Sequence, residues 1–137
     1  MSSNAYHLST EALPEGERVA LWRENFGRVI LKLDVEPIEA KGFRCDVTLC
    51  SLPGLNLFSG ETSSVHYRAP PALAASNDDS IGIMKMVQNR AVAVHLDRET
   101  TLSTGEATLL SCTDPLLFSI PLGGRSAAVL LPWDDGR

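Results

Sequence analysis

The sequence predicts a mainly β domain, a sandwich or barrel of short antiparallel strands, with one α-helix in front of it. Three observations carry this. Apolar residues recur every three or four positions in one early segment, the period drops to two from Phe43 onward, and turn-forming residues then punctuate the chain regularly. Asn77, Asn89, Asp97, Gly105, Asp114 and Gly123 stand 12, 8, 8, 9 and 9 residues apart, the spacing of short strands joined by tight turns.

The helix is expected over about residues 14–28. Pro14 sits near its start, and Glu15 and Glu17 place negative charge on its first turn, where the helix dipole favours it. Val19, Trp22, Phe26 and Ile30 form the apolar stripe, and Gly27-Arg28 marks the end. A stripe holding a Trp and a Phe needs cover, so the helix should lie against the face or mouth of the β body, with Trp22 as packing.

Strands follow. Phe43, Cys45, Val47 and Leu49 alternate with Arg44, Asp46, Thr48 and Cys50, giving one buried face. Val65 and Tyr67 alternate with Ser64, His66 and Arg68; Ile81 to Val87 is an apolar run; Val92, Val94 and Leu96 alternate with Ala91, Ala93 and His95. Pro53-Gly54 and Pro70-Pro71 break the chain, and the stretch from Pro70 to Asp79 reads as the longest loop. Ala127 to Leu131 is the final strand, stopped by Pro132.

Composition bounds the function. The 137 residues carry 12 basic and 17 acidic side chains, a net charge of −5, and are 44% hydrophobic and 21% charged, which suits one compact domain and not a disordered chain. An acidic chain without a Lys/Arg run lacks the cationic surface that phosphate contacts need, so direct nucleic-acid binding is not expected. No apolar stretch approaches the about 20 residues of a membrane helix, and no secretory signal is readable, so the expected location is the cytoplasm. Cys45 and Cys50 fall on opposite faces of one strand and Cys112 is solitary, which reads as three reduced thiols.

Chemistry-bearing motifs are sparse. His7, His66 and His95 are isolated, without the His-x-His or His-Glu-x-x-His spacing that converges imidazoles on a metal, and no cofactor is expected. There is no Gly-x-Ser-x-Gly elbow, Gly105 and Gly123-Gly124 do not open a helix as a phosphate loop would, and Asp78-Asp79 lies in a turn. No catalytic residue is assigned. A small barrel either fills with side chains or holds one small ligand. Met84 and Met86 share a strand face, and Met lines permissive pockets as well as filling cores; Tyr67 and Phe118 join them as candidate pocket residues by strand parity, Tyr67 bringing a polar handle.

Leu13-Pro14 leading to Trp22-Arg23-Glu24, then Leu33-Asp34-Val35-Glu36-Pro37, Phe43-Arg44, Leu52-Pro53-Gly54-Leu55 and Leu102-Ser103-Thr104-Gly105-Glu106-Ala107-Thr108-Leu109-Leu110 occur in that order. Together they resemble the N-terminal domain of AraC-type transcription regulators, over about Leu8 to Pro132. The resemblance implies a cupin-like double-stranded β-helix, or jelly-roll barrel, with a leading helix. It implies residues 1–132 as a regulatory domain and 133–137 as a tail or the start of a linker. The job it implies is to sense a small-molecule effector or to form a homodimer, with DNA bound only by a separate C-terminal domain that this chain lacks. Neither an enzyme nor a membrane partner is implied. Two rivals are a stand-alone cupin enzyme, which needs a metal or an acid–base pair in the barrel, and a pure dimerisation module with a filled core. The contact between copies is expected on an apolar face of the early helix or on an edge strand.

Overall fold

The alternation that begins at Phe43 becomes two antiparallel sheets closed over one core. A computed structural model describes residues 4–29, 32–39, 42–77 and 79–132. In chain order these form β1 (Asn4–Ser9), a 3-10 turn (Glu15–Glu17), α1 (Arg18–Val29), β2 (Asp34–Pro37), β3 (Cys45–Leu52), β4 (Leu55–Thr62) and β5 (Val65–Ala69). Then come α2 (Pro71–Ala75), β6 (Ser80–Gln88), β7 (Ala91–His95), β8 (Arg98–Leu102), β9 (Ala107–Ser111), β10 (Leu116–Ile120) and β11 (Gly124–Pro132). One sheet has six strands in the order β1-β3-β4-β11-β6-β9, the other five in the order β2-β5-β10-β7-β8.

Strand parity decides what enters the core. Cys45, Val47 and Leu49 of β3 are buried while Asp46 and Thr48 are exposed; Val65, Tyr67 and Ala69 of β5 and Phe118 and Ile120 of β10 supply the facing wall. A register slip of one residue would turn these sets outward, so the alternation holds the register. The pairing of β3 with β4 depends on Gly60: a Cβ there would lie 2.3 Å from the Asp46 carbonyl oxygen and 2.6 Å from Val47 Cα, so only glycine lets the strands approach. Asn89 (φ 67°), Asp97 (φ 61°) and Gly105 (φ 90°) take left-handed conformations at three of the turn positions, which is why those residue types occur there.

The helix starts later than the sequence pattern implied. Glu15–Glu17 close a 3-10 turn behind Pro14, and α1 runs Arg18–Val29. It packs on β2 with Trp22 in the core at 3% exposure. Arg18 donates to the Leu13 and Phe43 carbonyls at 3.1 Å, and Arg23 to the Val35 carbonyl at 2.9 Å, so two guanidinium groups fasten the helix to the sheet. Ile30, the Phe26 side chain, Asp78 and the tail 133–137 lie outside the described residues.

Three local expectations need correction. The stretch from Pro70 to Asp79 is no simple loop, because Pro71–Ala75 forms α2: proline suits a first helical position, alanine favours the helix, and the Ala74 N–H donates to the Pro70 carbonyl at 2.8 Å. β1 and β2 were not legible as strands. β1 is an edge strand with mostly exposed residues, and β2 has four residues with Val35 its one buried side chain.

Candidate functional site

Between the sheets lies a cavity of about 50 Å³. Tyr67 and Ala69 from β5 and Leu116 and Phe118 from β10 form its wall on the five-stranded sheet; Phe58 from β4, Gly82 and Met84 from β6 and their register partners Leu130 and Ala128 from β11 form its wall on the six-stranded sheet. Leu110, Ser111, Cys112 and Asp114 close one end, near Leu33. The surface is almost wholly apolar, and Asp114 is its one carboxylate. Space of this size admits three or four water-sized groups, whereas pockets for drug-sized ligands span about 300–1,000 Å³.

Of the four residues that parity singled out, the structure brings Tyr67, Met84 and Phe118 together on this cavity. Met86 points the same way on β6 but is fully buried in the core beyond it, outside the cavity wall. The β11 residues beside Met84 on the wall, Ser126, Ala128 and Leu130, share one parity in the last strand. Their signal was readable, but the pairing of Met84 with Ala128 comes from register, which sequence alone does not give.

The Tyr67 hydroxyl is sunk in the core with Trp22 and Thr62. Burial pushes its pKa well up, the charge of nearby Cys45 adds to this, and hydrogen bonding with the Trp22 and Thr62 side chains opposes it. Burial also raises Cys45 far above the ordinary thiol range and raises Cys112, with Ser80 opposing the latter. All three cysteines are free, and the two buried ones are held as thiols, without the basic neighbour that makes a nucleophile.

The histidines do not meet. His7 bonds Asp46 at 2.6 Å on the outer face of the six-stranded sheet; His66 Nδ1 bonds Ser119 Oγ at 2.6 Å on the outer face of the other; the Ser111 N–H donates to His95 Nε2 at 3.1 Å, tying the end of β7 to β9. Glu36 is the register neighbour of His66, yet this Ser-His row sits on the sheet surface away from the cavity. Among the described residues, no three His, Cys, Asp or Glu side chains converge on a point that could hold a metal. None of the described helices is long and apolar enough to cross a membrane.

No family model matches the sequence, and no curated protein does. Solved structures do. The AraC-like transcriptional activator CuxR superposes with a TM-score of 0.79 at 18% identity, over 95% of this chain and 48% of that one. An RmlC-like cupin from Shewanella frigidimarina gives 0.52 at 12% identity, over 76% of this chain and 87% of that one. The cupin domain of an XRE family transcriptional regulator from Enterobacter cloacae gives 0.50 at 9% identity, over 72% and 95%. This chain therefore spans about half the length of the activator it matches. Two sheets in jelly-roll order, a leading helix and these superpositions agree on one conclusion: the chain has the cupin fold, in a form similar to that in an AraC-like activator.

Proposed function

We propose that this chain is the regulatory domain of an AraC-type transcription regulator, sensing a small molecule inside the barrel and associating with a second copy. DNA contact is the work of a helix-turn-helix domain elsewhere in the regulator, and the domain acts in the cytoplasm without catalysing a reaction. The observation that carries this is the superposition on an AraC-like activator over nearly the whole chain, leading helix included. The acidic charge of −5 fits a sensory half that does not itself grip phosphates.

The cavity sets the kind of effector and the mechanism. Its apolar wall suits a small apolar or amphiphilic molecule, and 50 Å³ is too little for one of ordinary metabolite size. Binding then selects a barrel whose wall has opened, with Met84 as the adaptable side chain. A second reading, a dimerisation module whose barrel is simply filled, is favoured by the same small volume. A thermal-shift panel of apolar and amphiphilic metabolites separates the two. The sensing reading expects at least one compound that raises the melting temperature, and a panel that raises none favours the filled module. Elemental analysis addresses the enzyme alternative: stoichiometric nickel, iron, manganese or zinc would overturn the regulatory reading.

A further inference from the structure

Antiparallel sheets that face water on one side alternate apolar and polar residues, while strands covered on both faces read as continuous apolar runs. The five-stranded sheet follows the first rule on three of its strands, where Asp34, Glu36, Arg68, Glu99 and Thr101 project outward and are exposed, with Leu117, Val92 and Val94 outward and half-buried on β10 and β7. The six-stranded sheet does not. Its central strands β6 and β11 are apolar on both faces, through Ile81-Gly82-Ile83-Met84 and Ala127-Ala128-Val129-Leu130-Leu131. Inward residues meet the core, while the helices pack elsewhere, α1 on β2 and α2 on β5.

Register turns these outward residues into a band. Cys50 opposes Leu57, Leu57 opposes Val129, Val129 opposes Ile83, and Ile83 opposes Leu109, a direct row across five strands. Leu131 and Ile81 start a second row beside it. Leu109 is 65% exposed and Leu131 39%, and the others are half-buried. Of the charges on this face, His7 with Asp46 and Arg125 with Glu61 are paired and stand to one side, and Lys85 lies on β6 two residues beyond Ile83; the apolar rows themselves hold no carboxylate.

We infer that this outer face of the six-stranded sheet is where two copies of the chain meet, with Val129 and Ile83 inside the contact and Leu109 on its β9 edge. A two-fold contact places the same patch on itself, which a neutral apolar band tolerates and a face of like charges in this acidic chain would not. Size agrees. Six strands about 4.8 Å apart and four outward residues along β11 about 6.8 Å apart make a whole face, charged side included, of roughly 700–800 Å², close to the about 800 Å² per partner of a standard interface, which likewise combines an apolar core with a polar rim. Of the contacts expected from sequence, this surface includes edge strands, β1 and β9; the leading helix is not part of it. The inference deepens the self-association half of the regulatory reading and is independent of any ligand.

Sedimentation velocity of the 137-residue chain tests it, with Leu109→Lys, Ile83→Lys and, as control, Leu122→Lys, whose parent is 73% exposed in the turn after β10. The expected result is a dimer whose dissociation constant rises at least about tenfold in each of the first two variants and is unchanged in the control. Leu109 is exposed enough that its variant should melt as the parent does, so a lost dimer there is not lost folding. A dimer that Leu109→Lys and Ile83→Lys both leave intact overturns the assigned face while sparing dimerisation. A parent chain that stays monomeric at several hundred micromolar overturns both.

Discussion

At the scale of single residues, the buried ionisable groups set a pH limit. Cys45 and Tyr67 are held neutral by burial, their ordinary values being 9.0 and 10.0. With folded values raised, the two groups cost nothing below the ordinary range. As pH climbs through it, the unfolded chain releases their protons and the folded chain does not, so stability falls by about 1.4 kcal/mol per pH unit per group. Urea unfolding from about pH 8 to about pH 11 should show this loss, and Cys45→Ala or Tyr67→Phe should each flatten the slope whatever they do to stability at neutral pH. A parent chain equally stable across that range would contradict the burial. The inward placing of Cys45, Tyr67 and Phe118 was legible from alternation alone, as was the turn role of Asn89 and Asp97. That Met84 reaches the cavity and Met86 does not was hidden, because both share one parity, and parity does not say how far along the strand the cavity extends.

At the scale of elements, the leading helix is fastened by one large side chain and two arginines. Trp22 is 3% exposed and belongs to the core, so Trp22→Ala should destabilise by about 3–5 kcal/mol, read as a fall in the urea midpoint with little change in slope. Loss of the whole helix, seen as a two-step transition, would show instead that α1 is a separable cover. Its apolar spacing made this helix readable; β3, β5 and β7 were readable from period two, and β6 and β11 as apolar runs. What sequence did not yield were β4, β8, β9 and β10, which the turn spacing implied without placing, and elements too short or too exposed to carry a period: β1 at the sheet edge, the four residues of β2, and α2, whose single turn depends on the Pro70 carbonyl as acceptor.

At the scale of the molecule, the two features that bear on function are opposite sides of the same strands. Met84 of β6 and Ala128 of β11 line the cavity, while their neighbours Ile83 and Val129 stand in the outward apolar row. An effector that widens the barrel must move these strands, and by the same motion alter the face on which a second copy would sit. This gives the population shift a physical route one strand thick, and linkage requires the converse, that association changes effector affinity. The fold class and much of the core could be read along the chain, because each depends on local period. The outward band could not, since it exists only once register brings Cys50, Leu57, Val129, Ile83 and Leu109, distant in sequence, into one line. The central claim is that effectors enter the barrel, and methionine-methyl NMR reads this directly, because Met84 lies on the cavity wall and Met86, two residues on, does not. During titration with compounds from the metabolite panel, the account predicts a saturable shift of the Met84 methyl signal exceeding any at Met86; binding that leaves the Met84 signal unmoved would contradict it.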